Sequence, residues 1–354
     1  MVAEIVSTGS FLPGEPISNE RMEQLVGPLP ADVLEGIQVT QRHWMVDLET
    51  GEHLVNNSEM AVNAARDALA NAGIDASEVD LLVLSTASPD YLLPPLVTFV
   101  QEALGLERCA TMEIRSGCAG FGEALDVARL YIEKGQYQTA VVIGSEAISP
   151  LIVPLFLGKD PEKIRMRDRM NPYNFGDGAG EVVVRASSDD RGIIGSAMAC
   201  VGGNKKPAMQ IIGAGTHEPV HKQLQAKRLV DLKVDVVESG KFTPYVLTEA
   251  LTEVLRATGK QADEIDVCLI PEGNAGYMVE ELKEAGLLTP EWMALEGKIV
   301  ENLALVGATG SAAVPLALDH ARRTGAVKPG DLVMLLAIET SKWKYAGNVL
   351  DWTI

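Results

Sequence analysis

The chain reads as an α/β protein built twice over, two similar halves related by a pseudo-twofold axis. Three observations predict this. Helical and strand patterns alternate throughout, the strands are unbroken apolar runs of the kind found in sheets covered on both faces, and one helix-strand unit recurs at 59–85 and 245–271.

In the first copy Met60, Val62, Ala65 and Leu69 mark a helix, Gly73 stops it, and Glu78-Val79-Asp80 leads into the strand Leu81-Leu82-Val83-Leu84. In the second, Val246, Leu247, Leu251 and Leu255 mark the helix, Gly259 ends it, and Glu264-Ile265-Asp266 leads into Val267-Cys268-Leu269-Ile270. Glycine and aspartate stand seven residues apart in both copies. A second pair follows, Ala124-Leu125-Asp126-Val127-Ala128-Arg129 before a strand at 139–144 and Ala317-Leu318-Asp319-His320-Ala321-Arg322 before a strand at 331–337. The offsets are 186 and 193 residues, so a seven-residue difference in one loop reconciles them. The predicted halves are residues 1–184, carrying the candidate nucleophile, and 185–354.

With 354 residues and 47% hydrophobic content the chain can bury a large core. Four scattered cysteines without a CxxC pair argue against a disulfide framework or a cysteine zinc site. A formal charge of −19 argues against a broad nucleic-acid surface, so no nucleic-acid partner is expected. No apolar stretch of about 18 residues occurs, and the first residues lack the layout of a signal peptide, so a cytoplasmic protein with no membrane partner is expected.

Cys118 is the candidate nucleophile. Ser116 and Gly117 permit a sharp turn, and Ala119 to Lys134 continues with helical spacing through Phe121, Leu125, Ala128 and Ile132. A thiolate at such a junction feels the positive end of the helix, which lowers its pKa. The repeat places Ser311 opposite Cys118 and Glu272 just after the strand of the second copy. Cys118, Glu272 and Ala308 are therefore expected to converge near the pseudo-axis, at the carboxyl ends of strands. The run Gly176-Asp177-Gly178-Ala179-Gly180 lacks the lysine of a phosphate loop, and Asp177 reads as a turn-former.

Several motifs then carry a resemblance: Ile5 to Pro13, Ser88-Pro89-Asp90-Tyr91, the run around Cys118, Asn174-Phe175-Gly176-Asp177-Gly178-Ala179-Gly180, and Asn302 with Gly307 to Pro315. In order and spacing the chain resembles the β-ketoacyl-ACP synthase III branch of the thiolase superfamily over nearly its full length. The resemblance implies a five-layered αβαβα fold, a cysteine that accepts an acyl group, and a histidine and an asparagine that stabilise an enolate. Cys118 matches the first. Glu272 stands where the histidine belongs and Ala308 where the asparagine belongs. Loss of one enolate donor costs about 3 kcal/mol of transition-state stabilisation, so ordinary decarboxylative condensation is disfavoured.

The resemblance also implies an oxyanion hole formed by the backbone N–H of Cys118 and a second N–H from a glycine-rich turn after the last core strand. Here that turn reads Ile338-Glu339-Thr340-Ser341-Lys342-Trp343, which makes Ser341 the second donor. The tryptophan and arginine that hold CoA in the family are missing before Ile37, so recognition of free CoA is disfavoured and an acyl carrier protein or a different donor gains weight, with the choice between CoA and carrier protein left open. Leu92 and Leu93 correspond to a loop that shapes the acyl pocket across a dimer interface. No permanently bound cofactor or metal is implied, and acyl-CoA or acyl-ACP serves as donor. His217 and His221 match no catalytic position, and Arg115 could steady the thiolate or pair with Glu113.

Glu272 admits three roles: a general base with a pKa raised by burial, a positioning residue, or the relic of a lost activity. The leading expectation is an acyltransferase that loads Cys118 and passes the acyl group to a hydroxyl, amine or carbon nucleophile, in fatty-acid-like or polyketide metabolism. The alternatives are a carbon-carbon bond-forming synthase and a non-catalytic subunit paired with a catalytic homologue.

Overall fold

A computed structural model of the chain describes residues 1–226, 228–271 and 275–354. Its ten principal strands are β1 (Val2–Phe11), β2 (Leu81–Ser85), β3 (Ala110–Ile114), β4 (Thr139–Glu146), β5 (Gly178–Ser187), β6 (Ile193–Cys200), β7 (Val267–Leu269), β8 (Ile299–Val300), β9 (Leu332–Glu339) and β10 (Lys344–Asp351). They form two five-stranded sheets, ordered β1-β5-β4-β2-β3 and β6-β10-β9-β7-β8. In each, the strand next to one edge, β2 in the first and β7 in the second, pairs in parallel with both its neighbours, and the remaining pairings are antiparallel. The two orders are the same, so the sequence repeat is a structural duplication.

Four helices cover the sheets: α1 (Asn57–Ala72), α2 (Gly120–Glu133), α3 (Val236–Thr258) and α4 (Ala313–Thr324). Alternation along the apolar strands decides which layer each residue joins. Leu81 and Val83 face inward with Phe121, Leu125 and Ile132 of α2 and Val314 and Leu318 of α4. Leu82 and Leu84 face the opposite way, against Val62, Ala68 and Leu69 of α1. On the far side, Met334 and Leu336 pack on Val246, Leu251 and Val254 of α3. The layers run α1, first sheet, α2 with α4, second sheet, α3, which is the five-layered thiolase-like arrangement. Each leucine sealed this way contributes about 1.5–3 kcal/mol.

Two local differences from the sequence reading have clear causes. The nucleophile helix is preceded by a 3-10 turn, Gly117–Ala119, before α2 proper. The helix of the second copy starts at Val236, well before the repeated segment, because Asp235 caps it by accepting from Glu238 N–H at 3.1 Å and Pro244 sits inside it. A further hairpin pairs Met209–Ile212 with Asp231–Val234. No described helix is long and apolar enough to cross a membrane.

Candidate active site

Cys118 lies on the 3-10 turn that runs into α2, partly buried. Ser116, before it, accepts a hydrogen bond from Lys344 Nζ, and the same ammonium meets Glu123 Oε1 at 2.6 Å. The turn is thus tied to β10. Gly117 adopts φ +52°, a conformation that favours glycine, and a Cβ there would stand 1.8 Å from Glu339 Oε2.

The second copy's turn, Gly310–Ala312, packs against the first. Ser311 Oγ donates to the Gly117 carbonyl at 2.9 Å and lies 3.1 Å from Ser85 Oγ. Ser311 thus meets the cysteine turn, as the 193-residue offset predicts. Ala308 is also buried, but its immediate partners are the backbone of the Asn174–Gly176 segment: its N–H donates to Asn174 O at 2.8 Å and its carbonyl accepts from Gly176 N–H at 3.0 Å. Glu272 lies outside the described residues.

The N–H groups of Cys118 and Ser341 both donate to one side chain. Glu339, the last residue of β9, accepts from Cys118 N–H at 2.6 Å through Oε2 and from Ser341 N–H at 2.6 Å through Oε1. Its carboxyl is 1% exposed, and burial, with a contribution from Glu146, pushes its pKa above the ordinary carboxylate range against the pull of the two N–H groups. The 340–343 turn that presents Ser341 is anchored by Trp343, 1% exposed, whose indole N–H donates to Lys206 O at 3.2 Å.

A cavity of about 810 Å3 opens beside this turn, a size suited to a small organic ligand. Ser116, Gly117, Glu339 and Ser341 are among the residues that line it, with Arg115 and Leu92. Leu93, predicted with Leu92, is 79% exposed and outside that lining. His53, which the sequence reading did not single out, is at the cavity; His217 and His221 are exposed and apart from its lining. Glu113 is engaged by Val97 N–H at 3.1 Å.

The remaining thiols are poor nucleophiles or lie elsewhere. Burial pushes Cys268 up to about 12 and Cys109 to about 11, while Cys200 is exposed at the end of β6. Asp177 is a tie within the fold. Fully buried, it accepts from Met45 N–H at 2.8 Å, from Ile148 and Ser149 N–H at 2.6 and 2.8 Å, and from the Ser149 hydroxyl. Desolvation still raises it to about 6.

Comparison with known proteins agrees with this architecture. The 3-oxoacyl-(acyl-carrier-protein) synthase III family model matches residues 112–202, and the model of that family's C-terminal part matches residues 255–350. The chain is 33% identical to a β-ketoacyl-(acyl-carrier-protein) synthase III of Rhodospirillum rubrum, covering 94% of each chain, and 32% identical to one of Rhodospirillum centenum with the same coverage. Among solved structures it is similar to AbyA1, a tetronic acid condensing enzyme, at 27% identity and TM-score 0.82 over 99% of each chain. It also shares its fold with the synthase III of Pseudomonas aeruginosa, at 23% identity and TM-score 0.80, covering 100% of this chain and 99% of that one. The chain belongs to the 3-oxoacyl-(acyl-carrier-protein) synthase III family of condensing and acyl-transferring enzymes, within the thiolase superfamily.

Proposed function

We propose that the chain is an acyltransferase that forms a thioester on Cys118 and passes the acyl group to a second substrate. The observation that carries this reading is the placement of Cys118 on a 3-10 turn that leads into α2, next to Ser116 and Gly117 of the cavity lining, with its own N–H and that of Ser341 both donating to the Glu339 carboxylate. In the loading step the thiolate attacks the thioester carbonyl, the carbon-sulfur bond of the donor breaks, and the donor thiol leaves with a proton. In this reading the same two N–H groups hold the oxygen of the tetrahedral intermediate. In the second step an acceptor attacks the acyl-cysteine carbonyl, the carbon-sulfur bond to Cys118 breaks and returns the thiolate, and the acceptor's proton goes to a base, the role assigned to Glu272 from its place in the sequence.

The donor in this reading is a thioester of an acyl carrier protein or CoA. Support comes from the names of the relatives and from a second cavity that shares Pro150, Leu151 and Val230 with the first. Its walls include Lys159, Lys163 and Arg165, cationic groups suited to the phosphate of a carrier arm.

Intact-mass spectrometry after incubation with a panel of acyl-CoA and acyl-carrier thioesters tests the loading step. A mass increase equal to the acyl group is expected for the wild type and none for Cys118→Ala. No adduct with any donor would favour a non-catalytic subunit.

Condensation is the second reading, favoured by the similarity to a tetronic acid condensing enzyme. Release of carbon dioxide from malonyl carrier protein, dependent on Cys118, would move the assignment there.

A further inference from the structure

We propose that Glu339 is a displaceable occupant of the oxyanion hole, so that the resting enzyme is closed to a thioester carbonyl and opens when this side chain leaves. The inference rests on the reading of Cys118 as the acyl acceptor. Its basis is geometric. The carboxylate spans the N–H groups of Cys118 and Ser341, both at 2.6 Å, which is the place a thioester oxygen must take during attack by Cys118. Two acceptors cannot share those donors.

The duplication supplies the comparison that separates a movable group from a fixed one. Glu146 ends β4 as Glu339 ends β9, 193 residues earlier, and its Oε2 accepts from Ser311 N–H at 3.1 Å just as Glu339 accepts from Cys118 N–H. Glu146, however, is also held by Ala87 N–H at 2.9 Å, by Thr86 Oγ1 at 3.2 Å and by the Ser88 hydroxyl, and it is outside the cavity lining. Glu339 has no comparable set of side-chain donors from other segments among the described residues, and it faces the cavity. One glutamate is a seal within the fold. The other has space of about 810 Å3 beside it into which the side chain can rotate.

The chemistry needs nothing beyond the thioester itself. Rotation of Glu339 frees two N–H groups, the donor carbonyl takes them, and attack by Cys118 proceeds as in the loading step above. Glu339 therefore acts by selecting when, and for which donors, the hole is open. A donor whose carrier arm fills the cavity drives the exchange readily, whereas a short thioester that binds weakly does so only at higher concentration.

The test compares two reactions of the same thiol. Acylation by an acyl-carrier thioester places an oxyanion in the hole; alkylation by iodoacetamide does not. In Glu339→Gly the acylation rate, followed by intact mass, is expected to rise at least tenfold while alkylation stays within about twofold of wild type. Glu339→Gln, which retains the shape but weakens the acceptor, should fall between, and it carries the same reading if the glycine variant fails to fold. Glu146→Gln should not accelerate acylation. Acylation that is equal or slower in both Glu339 variants, with alkylation unchanged, overturns the inference alone. A parallel rise in both reactions also overturns it, because that reports only easier access to the thiol. Absence of acylation in wild type and every variant, with normal alkylation, sinks the acyl-loading reading together with this one.

Discussion

Glu146 and Glu339 stand at equivalent ends of β4 and β9, and each reaches across the pseudo-twofold axis to the 3-10 turn of the other half: Glu146 to Ser311 N–H and Glu339 to Cys118 N–H. The pair shows how duplication positions the nucleophile. The cysteine turn is gripped by the second half of the chain, so its geometry depends on both.

The glycines facing these carboxylates should tolerate no side chain. Gly117 and Gly310 have φ +52° and +54°, and a Cβ at either would lie 1.8 or 2.7 Å from a glutamate oxygen. Gly310→Ala should lose about 2–4 kcal/mol of stability in urea unfolding, combining left-handed strain with displacement of Glu146. Gly117→Ala should lose less than its shorter contact suggests, since Glu339 can rotate into the cavity.

Glu181 should be a destabilising residue. It is fully buried on β5, both carboxyl oxygens lack a hydrogen-bond partner among the described residues, and burial, with Asp67 nearby, raises its pKa well above the ordinary range. A carboxyl raised in the folded state contributes stability that is complete below its unfolded pKa and is lost as pH rises through the folded one. Glu181→Gln should therefore gain stability relative to wild type as pH increases from 4 to 8, by about 1–3 kcal/mol at the upper end. A difference that is flat across this range, in parallel urea titrations, would sink the assignment.

How much of this could be read before the fold was known varies by residue. The runs 81–84 and 267–270 and the turn around Cys118 were legible because apolar continuity and small residues at a bend are local signals. The 193-residue offset placed Ser311 against the cysteine turn for the same reason, since duplication turns a local pattern into a long-range one. Glu339 was visible only as a replacement of glycine. That its side chain folds back onto an N–H 221 residues earlier depends on strand register and on the bare Cα of Gly117. His53 at the cavity is marked by nothing in its neighbourhood. Glu272 rests on the alignment of the halves and on the family resemblance, both read from the sequence.

Thiol reactivity should follow burial. With iodoacetamide at pH 7.5, native protein should be modified at Cys118 and Cys200, slowly at Cys109, and at Cys268 only after unfolding. Peptide mapping reads all four sites at once. Prompt labelling of Cys268 would contradict the packing of β7 between its neighbours.

Removal of Asp177 should loosen the contact between the start of β5 and the segments around Met45 and Ser149. Its carboxylate satisfies three backbone N–H groups and one hydroxyl, all buried, and Asp177→Ala leaves them unpaired. A loss of at least about 3 kcal/mol is expected. A soluble variant with an unchanged melting temperature would contradict it.

Charge reversal beside the second cavity should separate carrier from acyl recognition. Lys163→Glu and Arg165→Glu, both at well-exposed side chains, should raise KM for a carrier-linked donor about tenfold at low salt. KM for a small N-acetylcysteamine thioester should not change. Equal effects on both donors would remove the carrier from the proposed reaction.

The central claim is that Cys118 carries the acyl group, and peptide mapping of protein quenched during turnover tests it most directly. The account predicts an acyl mass on the peptide containing Cys118, chased off by the acceptor and absent in Cys118→Ala. An acyl group found on another residue at full turnover, or turnover that persists in Cys118→Ala, would contradict it.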